Sequence, residues 1–274
     1  MRRTCLVVLA LASAAALSLA AQGRTERLVT QTWTVGGVER TALVAAPAVA
    51  AGTMGSPLVL IFHGHGGTAQ HAARTFAIHA QWPEAVVIYG QGLPTPGQLT
   101  DPEGRRAGWQ HAIGGQGDRD LAYVDAIVAW ARSRFTIDGT RIYAGGHSNG
   151  GTMTYVLWAA RGSLLAAVAP SASVFRRELL SAAKPKPALI IAGQRDQLVP
   201  FAAQKSSLQA ALRLNQAAAT GEPWSGAAVR HKSSIGTNVV AYIHAGDHAM
   251  PEDAGALMVK FFKEQTVVAA GARR

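Results

Sequence analysis

The sequence predicts an α/β protein built on a mostly parallel sheet. Three observations carry that expectation. Short apolar, β-rich runs alternate with segments of helical periodicity along the whole chain. Two further strand-like runs stand in front of them, flanking a Gly36-Gly37 turn. Finally, 274 residues at 49% hydrophobic and 15% charged can bury one sizeable core and are too apolar for disorder.

Taken in order, residues 1–20 read as a secretory signal peptide. Arg2 and Arg3 precede an apolar run rich in Ala and Leu, and Ser18 and Ala20 supply the small residues wanted before a cut after Ala20. The remainder, 21–274, is expected to be a single domain, exported or periplasmic. Segments 31–35 and 40–45 form the leading hairpin. Strands are then expected at 58–62, 85–89, 141–144, 166–169, 188–192 and 239–243, eight in all. Helices are expected at 120–135, 149–160, 201–215 and 254–264, on both faces of the sheet. Two long connections, 90–117 and 216–238, are read as loops, and loops of that length in a compact domain tend to serve function. Only 18 residues (170–187) separate the sixth strand from the seventh, too few for a cap domain.

Charge and cysteine content narrow the function classes. Removing residues 1–20 deletes Arg2 and Arg3 and no acid, which takes the formal charge from +10 to +8. The bases are scattered as singles and pairs, without the dense, aromatic-interleaved patch that nucleic acid requires. Attraction to an acidic polysaccharide or anionic surface is the more modest implication. No run of about 18 apolar residues follows the leader, so no membrane span is expected. Cys5, in the leader, is the only cysteine. The mature chain therefore has no disulfide, cysteine nucleophile or zinc thiolate.

Chemistry concentrates in Gly146-His147-Ser148-Asn149-Gly150, a G-x-S-x-G run between an expected strand and an expected helix. That is the context of a nucleophile elbow, a strained turn that exposes a serine where strand and helix nearly touch. Side chains two residues before and after the serine would collide there, which accounts for Gly146 and Gly150. The helix starting at Asn149 aims its free N–H groups at the reacting centre, so the Asn149 amide is a candidate oxyanion donor.

A serine hydroxyl needs an imidazole to take its proton and a carboxylate to orient that imidazole, and behind an elbow they follow in the order serine, acid, histidine. Asp196 sits in the loop at the carboxyl end of an apolar strand, where catalytic groups collect in such sheets. His248 lies in a flexible loop after the last strand. It is preferred to His244, nearer the strand, and Asp196 is preferred to Asp247. The second oxyanion donor is expected from the loop Phe62-His63-Gly64-His65-Gly66-Gly67, at the N–H of His65. No acidic cluster or His-Glu-x-x-His run supports reading His63 and His65 as metal ligands. Trp109 and Trp224, in the two long loops, are candidates for stacking on substrate.

Together the His-Gly-x-Gly-Gly loop, Gly108-Trp109, the segment 118–125, Gly-His-Ser-Asn-Gly-Gly, Asp196 to Pro200 and the Gly-x-His-x-x-Pro ending resemble the secreted feruloyl esterase and poly(3-hydroxybutyrate) depolymerase branch of the α/β-hydrolases. The likeness runs from about Thr30 to Phe262. It implies a carboxylic-ester hydrolase with Ser148, Asp196 and His248 as triad, no cofactor, and feruloyl- or acetyl-type esters on polysaccharide, or short polyesters, as substrate. The chain departs from the family in having no disulfide near the site. A peptidase or acyltransferase of the same fold, or a non-catalytic polysaccharide binder, are the other readings.

Overall fold

The structure, a computed structural model, describes residues 28–50 and 52–267. The expected signal peptide, 1–20, and Cys5 lie outside the described residues. The described strands are β1 (Val29–Val35), β2 (Val38–Ala45), β3 (Ser56–Phe62), β4 (Val86–Gly90), β5 (Leu93–Pro94), β6 (Ala107–Gly108), β7 (Ile137–His147), β8 (Ala167–Ser171), β9 (Ala188–Gly193), β10 (Glu222–Ser225), β11 (Ala228–His231) and β12 (Val239–His244). The main sheet runs β1-β2-β4-β3-β7-β8-β9-β12-β11-β10, and β5 and β6 pair separately. The six strands from β4 to β12 are mutually parallel, with antiparallel strands added at each side.

All eight expected strands are present, but the sheet has ten, which corrects the expected count. The extra pair lies in the connection read as a loop: β10 and β11 form a hairpin that continues the sheet from β12. Pro223 and a register shift between Pro223 and Ser225 break the alternation that marks a strand. Both are tolerated because β10 is an edge strand, where a missing N–H costs no ladder bond. β7 likewise starts before its expected limit, with a shift opposite Ser56 and Leu58.

Strand β3, Ser56–Phe62, is buried at every position, as a parallel strand covered on both faces should be. Leu58, Leu60 and Phe62 join one core, beneath the helices Arg119–Arg134, Asn149–Arg161 and Phe201–Leu214; Val59 and Ile61 join the other, beneath Ala69–Phe76 and Ala254–Lys263. The four expected helices begin and end within about a residue of their sequence limits. Three short helices, Ala69–Phe76, Ile78–Gln81 and Arg177–Ala182, were not expected. The first owes its start to Thr68, whose Oγ accepts the His71 N–H at 3.1 Å. The third is the only helix between β8 and β9, and among the described residues there is no cap domain.

A buried ion pair fastens the long loop before Arg119 to the sheet. Arg40 on β2 and Asp120 are both essentially inaccessible and pair at 2.8 Å. The other Asp120 oxygen accepts the Gln110 N–H at 2.7 Å, while the Asp120 N–H donates to Gln110 Oε1 at 3.1 Å. Residue 109 is thereby set under the site. The Trp109 ring meets Phe62 edge-on at 5.1 Å and its indole N–H donates to the His63 carbonyl at 2.9 Å. His63, also buried, donates from Nδ1 to Gly64 O at 2.7 Å and accepts the Gly92 N–H on Nε2 at 2.9 Å. Burial holds its pKa down at about 4, so the ring is neutral.

Two stability predictions follow from these anchors. Asp120→Ala leaves a buried guanidinium without its partner and is expected to cost about 3–5 kcal/mol in urea denaturation, against less than about 1 for Asp125→Ala, which removes only an exposed partner of Arg161. His63 contributes fully above the unfolded-state pKa of about 6.5, and that contribution declines as pH falls toward about 4, by at most about 1.4 kcal/mol per pH unit. Stability of His63→Gln should therefore fall less steeply than that of the natural protein between about pH 6.5 and 4, measured by denaturant midpoints across that range.

Candidate active site

Strand β7 delivers Ser148 at its carboxyl end, between β3 and β8. The serine backbone sits at φ 57°, ψ −119°, a conformation that side chains other than glycine rarely adopt. The turn is held by the Ser148 N–H donating to Ser171 O at 2.9 Å. A Cβ on Gly150 would lie 2.1 Å from the Phe62 carbonyl oxygen, and one on Gly146 would lie 2.4 Å from that of Gly150. Only glycine lets helix and strands come this close, the approach that the sequence spacing implied.

The three residues chosen for acyl chemistry meet. Ser148 Oγ is 2.9 Å from His248 Nε2, and His248 Nδ1 is 2.8 Å from Asp196 Oδ2. With Nδ1–H donating to the carboxylate, Nε2 is free to accept the serine proton. The Asp196 carboxylate, inaccessible to solvent, takes three further bonds: Oδ1 from the Leu198 and Val199 N–H groups at 2.9 and 2.8 Å, and Oδ2 from Gln204 Nε2 at 2.8 Å. Burial pushes its pKa up, but the bonds from His248, Val199 and Leu198 together hold it below the ordinary carboxylate value.

Gln204 was not singled out from the sequence. A buried glutamine on the helix Phe201–Leu214, it also donates to the Val199 carbonyl at 2.6 Å and accepts the Gly193 N–H at 3.3 Å. A signal existed. Gln204 occupies the same buried helix face as Leu208 and Ala211, at positions where an apolar residue is the norm. The two rejected alternatives are engaged elsewhere: His244 Nδ1 accepts the Gly246 N–H at 3.2 Å, and Asp247 is exposed and accepts the Ala249 N–H at 2.9 Å. His147 was also missed. Its ring lies 4.9 Å from that of His248, with Nδ1 hydrogen-bonded to Ser171 Oγ at 3.1 Å. Burial first, then the His248 charge, lowers its pKa to about 4, so it stays neutral beside the His248 ring.

His65 and Asn149, the two expected oxyanion donors, line the same cavity as Ser148, a space of about 230 Å³. The loop that carries His65 passes directly over the serine: a Cβ on Gly64 would be 3.5 Å from Ser148 Cβ. Asn149 opens its helix, where N–H groups have no partner within the helix. Its side chain grips the neighbouring loop, accepting the Trp109 N–H at 2.7 Å and donating to the Trp109 carbonyl at 3.1 Å. The His65 ring is tied to Asp101 at 3.0 Å. Asp101, at φ 57°, is held to a pKa of about 2, chiefly by the Arg106 N–H. His63 and His65 thus serve separate partners, and among the described residues no group of three His, Cys, Asp or Glu side chains is arranged to hold a metal.

The expected substrate contacts of Trp109 and Trp224 are corrected. Trp109 has no exposed surface; its ring is enclosed by Phe62, His63 and Tyr123. Trp224 lies on β10, donates to Glu264 at 3.0 Å and packs on Phe261, away from the cavity lining. Each indole finds an internal acceptor and aromatic or cationic neighbours, which makes it an anchor for its loop. The cavity lining instead combines aliphatic residues, Leu99, Val174, Leu198 and Pro200 among them, with polar ones such as Gln98, Thr100, His111 and Arg176.

A model of the prolyl oligopeptidase family matches residues 103–179, the stretch that includes β7 and the elbow. A probable feruloyl esterase C of Aspergillus clavatus is 30% identical over 191 residues, covering 66% of this chain and 62% of that protein. The chain thus spans about three-fifths of the length of this curated relative. Among solved structures, an acetyl xylan esterase from Aspergillus awamori superposes with a TM-score of 0.62 at 13% identity, covering 86% of this chain and 99% of that one. A thermostable esterase gives 0.60 at 18% identity, covering 87% and 63%. With these neighbours, a mostly parallel sheet flanked by helices and a strained serine at the end of β7, the protein is an α/β-hydrolase by fold.

Proposed function

We propose that the protein is a carboxylic-ester hydrolase that works through an acyl-enzyme on Ser148. The observation that carries this reading is the continuous relay from Ser148 Oγ through His248 to Asp196, at 2.9 and 2.8 Å. His248 takes the serine proton as Oγ attacks the ester carbonyl. The Asn149 and His65 amides hold the oxyanion, and His248 returns its proton to the departing alcohol. Water, activated by the same imidazole, then frees the acid. Asp196 remains ionised throughout, because its four donors favour the charged form.

Feruloyl or acetyl esters on plant polysaccharide, or short polyhydroxyalkanoate-type esters, are the proposed substrates. The likeness to a feruloyl esterase and an acetyl xylan esterase supports the first pair, and a small cavity of mixed aliphatic and polar lining suits any of the three. Action outside the cytoplasm is supported by the leader-like composition of residues 1–20. The match of residues 103–179 to a peptidase family favours a second reading, cleavage of peptides by the same relay. Rapid turnover of a chromogenic prolyl peptide, with none of aryl esters, would decide for it.

Ser148→Ala is expected to lower kcat/KM on short aryl esters by about 10⁴-fold or more while leaving the fold intact, and a fluorophosphonate should label Ser148 alone. His248→Gln should lose comparable activity, whereas His244→Gln should retain most of it; the reverse outcome moves the base to His244. Gln204→Ala, which frees the acid loop, should reduce kcat by about 10-fold or more with a smaller change in KM. With no cap domain among the described residues, rates should rise smoothly through the concentration at which a substrate aggregates, and short acyl chains should be preferred to long ones.

A further inference from the structure

Among the residues that line the cavity beside Ser148 there is no aspartate or glutamate, and the one fixed charge is Arg176. It enters none of the ion pairs found among the described residues, unlike Arg40, Arg141, Arg161 or Arg230. The lining stretch 97–100 is followed by an acid, Asp101, but its oxygens are already taken by the His65 ring and the Arg105 and Arg106 N–H groups. Arg176 is exposed, yet its backbone is well fixed. The preceding residue, Phe175, is buried, stacks on Tyr155 at 4.3 Å and donates its N–H to Ser207 Oγ at 2.9 Å. His111, on the same cavity, is held below its ordinary pKa by burial and, less strongly, by the Arg176 charge.

We propose that Arg176 makes this cavity an anion-selecting subsite, so that the preferred ester bears a free carboxylate on the portion lodged beside Ser148. The inference rests on the proposed esterase reading and narrows its substrate class. The aliphatic wall formed by Leu99, Leu198 and Pro200 receives the carbon chain, and the guanidinium at the rim pairs with the distal acid, in the two-pronged geometry that arginine offers a carboxylate. A net charge of +10 over the whole chain favours the approach of such a substrate.

The test compares 4-nitrophenyl hemiadipate with its neutral adipamate isostere, each corrected for spontaneous hydrolysis. The acid should be favoured by about 3- to 10-fold in kcat/KM at low ionic strength, mainly through KM, and the preference should shrink as salt is added. In Arg176→Gln the ratio of acid to amide should fall to about 1, and Arg176→Lys should restore part of it. Equal rates in the natural protein, or a preference that survives in Arg176→Gln, would overturn the proposal. Calorimetric titration of Ser148→Ala with the same two compounds separates the subsite from the chemistry. If the natural protein hydrolyses neither ester while Ser148→Ala binds the acid several-fold more tightly than the amide, the esterase reading fails and the subsite stands; equal binding removes the subsite.

Discussion

Everything in the site depends on the contact between the helix Asn149–Arg161 and the carboxyl ends of β3 and β7. There a glycine Cα replaces what would be a side chain 2.1 Å from a backbone oxygen. That contact pins the first turn of the helix and forces Ser148 into a backbone conformation it would not choose in isolation. The cost of the strained residue is met by the hydrophobic packing around it. Leu58, Leu60 and Phe62 on one side of β3, with Val59 and Ile61 on the other, are almost wholly buried, and each such side chain contributes about 1.5–3 kcal/mol.

Around this fixed point the loops are tied by buried polar groups, and the ties form a chain. Arg40 holds Asp120, Asp120 holds Gln110, and the adjacent Trp109 is held at both main-chain polar groups by the Asn149 side chain. On the other side of Ser148, Gln204 and two amides hold Asp196, which orients His248. Most of these bonds are buried, so losing one partner there leaves the other unsatisfied at a cost of about 1–3 kcal/mol. The relay of Ser148, His248 and Asp196 and the loops beside it are held in this way in a chain with a single cysteine.

Much of this arrangement was legible in the sequence, for reasons that also explain the failures. Strand and helix periodicities are local, so the eight strands and the four longer helices could be located. The elbow is legible because its steric demand falls on Gly146 and Gly150 within a single turn. Asp196 and His248 are 52 residues apart and could be chosen only because strand ends and chain order restrict the choices. The strands β10 and β11 were not legible, since Pro223 and the register shift erase the alternation. Nor was the burial of Trp109, because whether a ring faces solvent is decided by Phe62 and Tyr123, distant in sequence. Gln204 was partly legible, as a polar residue on an apolar helix face.

The two outer strands of the main sheet differ in what they offer another chain. Strand β10 presents Pro223, which has no N–H, beside a shifted register, so a foreign strand arriving there would meet an interrupted row of donors. Strand β1 carries seven residues, Val29–Val35, in unbroken register with β2, and no proline. Among the described residues nothing pairs with its outer side. Among the described residues, unwanted growth of the sheet between molecules is thus hindered at the β10 margin and unhindered at the β1 margin, where crowding or partial unfolding would act first.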